Sequence, residues 1–186
     1  MKIGVSECLL GVQCRYDGLS STNKFITNTL QEYFEFQAYC PEKLIFGTPR
    51  EAIRLVEQDQ GVKVVTSNTQ KEVTHELEAI CETLAQKALK EELCGFIVKS
   101  KSPTCGMERV RVYDKKHPNH EKKGVGLLVQ ALKRHLPYLP IEEEGRLGDA
   151  NLRENFLMRV FAYNDLYTFL KSEPKMKDLI AFHTSY

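Results

Sequence analysis

Nothing in these 186 residues is built to cross a membrane: no run approaches the roughly 18 consecutive apolar residues that a bilayer span takes. From Met1 to Leu10 there is Lys2 and a short apolar stretch, but no signal-peptide core and no small-residue cleavage site. These absences lead to the expectation of a cytoplasmic protein with no membrane partner. In a reducing compartment the six cysteines are not a disulfide framework. Close C-x₂-C pairs are missing as well, and with them the usual signature of a structural zinc site. There is no H-E-x-x-H for a zinc protease and no Walker A loop for a nucleotide phosphate. No internal repeat and no low-complexity tract is found, so neither a solenoid nor a disordered tether is indicated.

What is there suits a packed globular chain. Hydrophobic residues make up 42% and charged residues 27%. The net charge of +1 is unevenly spread: ten basic against three acidic residues between Lys99 and Arg134 make +7, leaving −6 for the rest. Such asymmetry fits either a polyanion-facing surface or a solvated loop and helix face.

Along the chain, Lys2 to Ser6 reads as a strand and Cys8 to Thr22 as a polar loop. Asn23 caps a predicted helix running to about Phe34. Phe36 to Tyr39 is β-prone and stops at Cys40-Pro41. Ile53–Val56 and Val62–Val65 flank Gly61 as a hairpin. Leu77, Ile80, Cys81, Leu84, Ala85, Ala88 and Leu89 form one continuous helical stripe. Phe96 to Val98 is a buried-strand signal, and Val110 and Val112 alternate with polar residues as in a half-exposed strand. The stretch from Lys115 to Lys123 reads as a charged loop. Further helices are expected around Val125–Leu132 and from about Asp149, with a short strand at Pro140-Ile141 between them. Strands alternating with helices predict an α/β fold: a Rossmann-like three-layer α/β/α domain with a mostly parallel sheet, plus a C-terminal helical extension. The expected division is a domain over residues 1–163 and the start of a truncated helical module over 164–186.

The cysteines fall at informative places. Cys8 ends the first strand, Cys40 ends the second, and Cys105 lies in the loop after Phe96–Val98. Loops leaving the carboxyl ends of parallel strands line one crevice, so three distant thiols meet there. The loop from Glu142 to Asp149 should border the same crevice. Three converging thiolates indicate a soft metal site, either zinc or iron–sulfur. Cys81, on the apolar stripe, and Cys94 read as buried core residues. Cys14, in the loop near Cys8, is either another such residue or a spare thiol beside the site. Glu42, two residues past Cys40, offers a carboxylate for water activation or proton transfer, or simply caps a turn after Pro41. Gly124-Val125-Gly126 before a helix is a partial phosphate-loop pattern lacking its third glycine. A zinc- or cluster-bearing RNA-binding or sensor module without catalysis is the competing reading, and Glu42 and Ser102 beside the thiols, with no fourth protein ligand evident, tell against it.

Taken together, the motifs Cys8-Leu9-Leu10-Gly11, Arg15-Tyr16-Asp17-Gly18, Cys40-Pro41-Glu42, Thr48-Pro49-Arg50-Glu51 and Ser102-Pro103-Thr104-Cys105-Gly106 closely resemble the thiouracil desulfurase family. Glu142 to Leu147 and Leu152 to Phe156 extend the match to about residue 163. The tail resembles the start of a second helical domain often fused to this one. The resemblance implies an enzyme that removes sulfur from thiolated pyrimidines by non-redox hydrolysis, acting on a thiopyrimidine base or nucleoside. In fused relatives it implies 4-thiouridine in tRNA, which the basic stretch 99–134 would hold. It implies a 4Fe–4S cluster on Cys8, Cys40 and Cys105 with one open iron, Glu42 as acid/base and Ser102 as its assistant. Cys14 is excluded from the ligands because its position need not be cysteine in the family. Thr104 stands where serine is common. Arg15, Asp17 and Arg50, in the matched motifs, are candidate substrate-binding residues.

Overall fold

The computed structural model describes residues 1–59, 61–114 and 119–185. Its centre is an all-parallel sheet of four strands: β1 (Lys2–Ser6), β2 (Glu35–Tyr39), β5 (Gly95–Val98) and β8 (Ile141–Glu143). They lie in the order β2-β1-β5-β8. The chain first steps from β1 to β2 on one side, then returns to the other, so the topological switch falls beside β1.

Alternation along these strands decides which helices cover which face. Phe96 and Val98 point into a cluster with Leu84, Ala85 and Ala88 of α3 (Thr74–Lys90) and Leu128 and Leu132 of α4 (Leu127–His135). Ile3, Val5 and Ile97 point the other way, against Ile26 of α1 (Lys24–Asn28) and Phe156 and Val160 of α5 (Ala150–Lys171). Gly4 faces the first cluster because nothing larger fits: a Cβ there would come within 2.4 Å of the Phe96 ring. Phe156 is fully buried. Phe156→Ala should therefore lower the unfolding free energy by about 3–5 kcal/mol, read as a fall in urea midpoint at constant m-value.

The α/β class agrees with the sequence reading, with one addition: there are two sheets. A second sheet has the order β4-β3-β6-β7, built from β3 (Ile53–Gln58), β4 (Gly61–Thr66), β6 (Val110–Asp114) and β7 (His120–Gly124). The β3–β4 hairpin is as expected, and β3 also pairs in parallel with β6. This sheet packs through Leu55, Val64, Val110 and Val112 onto Leu77 of α3. The predicted charged loop at 115–123 is partly strand, since residues 120–124 pair antiparallel with β6. Their polar side chains carry no apolar alternation; backbone pairing makes the strand, with His120 beside the Tyr113 ring and Lys123 paired to Glu57. Lys115 and Lys116 lie outside the described residues.

Other departures are local. The helix capped by Asn23 stops at Asn28 and gives way to a 3₁₀ turn at Leu30–Glu32. In its last turn the Thr27 hydroxyl donates back to the Asn23 carbonyl and to the Asn28 side chain, competition that weakens a helix end. Leu89, at the end of the α3 stripe, is exposed. In agreement with the sequence, Leu166, Tyr167, Phe169 and Leu170 continue a helix, α5, which buries Phe156 and Val160 but exposes Leu166 and Leu170. Beyond it α6 (Met176–Ser185) folds back, with Phe169 and Phe182 stacked at 4.5 Å between centroids. Among the described residues no helix is long and apolar enough to cross a membrane.

Candidate active site

A cavity of about 280 Å³ opens at the carboxyl edge of the parallel sheet, beside the switch point. Four thiols line it: Cys8, Cys14, Cys40 and Cys105. All six cysteines of the chain are free. Cys8 sits in the 3₁₀ turn that follows β1 directly (Glu7–Leu10). Cys40 is the residue between β2 and helix α2 (Pro41–Phe46), whose first position is proline and whose second is Glu42. Cys105 comes from the loop after β5. Cys81 and Cys94 stay in the two hydrophobic clusters, the Cys94 thiol donating to the Lys2 carbonyl at 3.0 Å.

The Cys105 loop is held by the start of α4. Gly126 N–H donates to the Gly106 carbonyl at 2.8 Å and Leu128 N–H to the Thr104 carbonyl at 2.9 Å. A Cβ at Gly126 would meet the Thr104 carbonyl at 2.5 Å, so glycine permits this close approach. The Gly124-Val125-Gly126 pattern thus serves a loop of the protein itself, with those amides occupied by carbonyl oxygens. Within the loop the Ser102 hydroxyl accepts from Thr104 N–H at 3.2 Å and Cys105 N–H at 3.0 Å.

Glu42 is the best-anchored carboxylate in the cavity. Its Oε2 accepts from Arg50 Nη2 at 2.8 Å and Nε at 3.3 Å, and its Oε1 accepts from the Thr104 hydroxyl at 2.8 Å. The Arg50 side chain is only 5% exposed. Its Nη1 donates to the Cys14 and Gly47 carbonyls at 2.9 and 3.0 Å. Arg50 lines the cavity, but these bonds make it a support for Glu42 and for the Cys14 loop. Thr104 keeps the hydroxyl that a serine there would supply. Glu7 also lines the cavity, its Oε1 accepting from Lys43 at 2.7 Å.

Burial pushes the Cys105 thiol up to about 12, against hydrogen bonds to the Ser6 and Ser102 hydroxyls that favour the thiolate. For Cys14, a bond with Cys40 favours the thiolate, but its bond with Cys8 and its burial outweigh that and push it up to about 12. The Cys40 thiol is pushed up too, first by its bond with Cys14 and then by burial.

Of the sequence-predicted residues, Cys8, Cys40, Cys105, Glu42, Ser102, Arg15 and Arg50 all line this one cavity. Asp17 does not: its carboxylate pairs bidentately with Arg15 at 2.9 and 3.1 Å, which holds it below the usual carboxylate range. The segment after β8 does not line the cavity but braces the loop beside it: Glu144 binds Lys99 and the Ser100 amide and hydroxyl, and Glu143 accepts from Met107 N–H at 3.0 Å. Sequence reasoning did not find Glu7, and it set Cys14 aside. Glu7 directly precedes Cys8 at a strand end, and Cys14 shares the Cys8 loop; both signals were visible. Thr104's bond to Glu42 and the Lys99–Glu144 pair had no such signal. In the basic stretch, Lys99, Lys123 and Arg134 are ion-paired. Lys101, Arg109, Arg111 and Lys122 line a second pocket together with Glu108 and Glu143, and it shares Ser100 and Lys101 with the main cavity.

Fold and site together define an α/β enzyme with its pocket at the carboxyl edge of a parallel sheet. The chain belongs to the 2-thiouracil desulfurase family, whose model matches residues 3–144. It is 32% identical over 109 residues to the uncharacterized protein YbbK of Bacillus subtilis (strain 168), an alignment covering 55% of this chain and 71% of that protein. Its fold is similar to the solved structure of the 4Fe-4S-dependent thiouracil desulfidase TudS, with a TM-score of 0.64 and 29% identity over 83% of this chain and 97% of that one. Family membership in an enzyme group removes the non-catalytic RNA-binding or sensor reading.

Proposed function

We propose that this enzyme hydrolyses the carbon–sulfur bond of thiolated pyrimidines using a 4Fe–4S cluster held by Cys8, Cys40 and Cys105. The observation that carries this reading is the convergence of those three thiols and Glu42 in one cavity, from the ends of three parallel strands. The donor set fits the cluster: soft sulfur ligands on separate loops, none tied up in a disulfide. When bound, a cluster with one iron left open by the protein supplies a soft Lewis acid for the thiocarbonyl sulfur.

The chain's own residues do the rest. Arg50 and Thr104 fix the Glu42 carboxylate, so a water beside it can be deprotonated as it attacks the thiocarbonyl carbon. Glu42 then returns that proton to the departing sulfur. Thiouracil and water become uracil and hydrogen sulfide, and no electrons are gained or lost. Ser102 shapes the Cys105 loop and keeps its own O–H to donate toward Cys105 or substrate. Arg15 lines the cavity, oriented by Asp17.

For the nucleoside, we read the substrate as 4-thiouridine in tRNA, with the base turned out of its stack into the cavity. Arg109, Arg111 and Lys122, beside the mouth, are placed to meet phosphates. Changing these three to Glu should weaken tRNA binding and flatten its salt dependence by about 0.9 log unit for each phosphate they no longer neutralise. Desulfuration of free thiouracil, followed as uracil and sulfide formed by the cluster-loaded enzyme, should persist. Equal loss on both substrates would sink the RNA reading, and no sulfide from the native enzyme would sink the hydrolysis itself.

A further inference from the structure

Three ligand-type atoms in this pocket lie close enough together to share one ion. A Glu7 carboxylate oxygen, Cys14 Sγ and Cys40 Sγ all lie within 4.8 Å of one another. Only Cys40 belongs to the proposed cluster ligands. Cys14 is buried, and its place is fixed from outside: its amide donates to the Val12 carbonyl at 2.9 Å and its carbonyl accepts from Arg50. Glu7 is oriented by Lys43, the kind of outer hydrogen bond that holds a ligating carboxylate in place. Cys105, on the loop after β5, is not part of this group.

That spacing matches a single ion. Zinc–sulfur bonds of about 2.3 Å in a tetrahedron put neighbouring sulfurs roughly 3.8 Å apart. A four-iron cube puts each thiolate on a different iron, and so farther apart. We propose that the cluster-free protein binds one soft divalent ion of the zinc type through Glu7, Cys14 and Cys40, with the fourth position left to solvent. Because Cys40 cannot serve both, ion and cluster exclude one another. The exclusion rests on Cys40 being a cluster ligand; the ion site does not.

The test uses the full chain, freed of metal under anaerobic reducing conditions and titrated with Co²⁺ as a coloured stand-in, then with Zn²⁺ in competition. One ion per chain is expected, with thiolate-to-cobalt absorption and tetrahedral visible bands. Cys14→Ser should weaken binding by about a hundredfold or more, and Glu7→Gln or Lys43→Met by about tenfold. Cys105→Ser should bind Co²⁺ like the native chain. Reconstitution with iron and sulfide should give the crossed pattern: normal iron content in Cys14→Ser, little in Cys105→Ser. One equivalent of Zn²⁺ should block cluster uptake in the native chain and not in Cys14→Ser. Absence of stoichiometric Co²⁺ binding, or binding indifferent to Cys14→Ser, overturns the ion site. Loss of both ion and cluster in Cys14→Ser also overturns it, by making Cys14 a cluster ligand. Co²⁺ binding in a native chain that takes up no iron supports the ion site and counts against the cluster.

Discussion

Cys105→Ser is expected to yield a folded chain that takes up little iron and releases no sulfide from thiouracil. The loop carrying this residue is positioned by backbone bonds from Gly126 and Leu128 and by the Ser102 hydroxyl, none of which involves the thiol. Exchanging sulfur for oxygen therefore leaves the loop in place and removes only the soft donor. Cys8→Ser and Cys40→Ser should behave alike, because each thiol stands at a strand end facing the same cavity. Cys81→Ser and Cys94→Ser are the controls. They place a hydroxyl in the hydrophobic clusters, costing about 1–3 kcal/mol of stability, but face no part of the cavity and should keep the iron. Iron and sulfide per chain, the cluster absorbance and a urea midpoint together separate loss of cluster from loss of fold. Full cluster retention in any of the first three takes that residue out of the ligand set.

Glu42→Gln should keep the cluster and still bind thiouracil, while turnover falls by about a hundredfold or more, the usual size of an acid–base contribution. Glutamine preserves the shape: its amide oxygen can accept from Arg50, and its amide nitrogen can donate to the Thr104 hydroxyl. What it cannot do is take up and return a proton. Arg50, nearly buried, loses its counter-ion, so stability should drop by about 3 kcal/mol and the assay must run well below the new melting point. Single-turnover loss of the thiocarbonyl absorbance, with iron content matched, is the measurement. Thr104→Val, which leaves the ion pair intact, should cost a smaller factor. Ser102→Ala should also cost less than Glu42→Gln, because water can partly replace a polarising hydroxyl. Near-normal turnover in Glu42→Gln would end the acid/base assignment and move the search to Glu7. Asp17 is not the next carboxylate to try, because it faces Arg15 outside the cavity.

Much of this architecture was legible because it is written in local periodicity and residue type. Phe96 to Val98 is short, apolar and preceded by glycine, which favours a buried strand, and the stripe from Leu77 to Ala88 has the period of a helix's covered face. From strands joined by helices the parallel sheet follows, and from the parallel sheet follows the meeting of Cys8, Cys40 and Cys105 at one edge. The hairpin at Gly61 was equally plain from two β-prone runs flanking a glycine, and that glycine takes a positive φ of 101°. Those inferences need only neighbours in sequence and one rule of handedness.

Contacts between distant side chains were not legible, and they decide how the cavity works. That Arg50 clamps Glu42 and the Cys14 carbonyl, and that Thr104 reaches Glu42 across 62 positions, depends on where two separately folded loops come to rest. Strand β7 was hidden because a polar strand owes its pairing to backbone groups that every residue carries. The second sheet stayed unread because its β3–β6 pairing, which joins Leu55 to Val112, is between segments remote in the chain. By itself the sequence determined the α/β class, the mostly parallel sheet and the edge where the thiols gather, because hydrophobic burial follows local pattern. Only the tertiary structure decided that Cys14 and Glu7 join Cys40 and that Asp17 stays outside, because the direction of a loop side chain is set by partners remote in the chain.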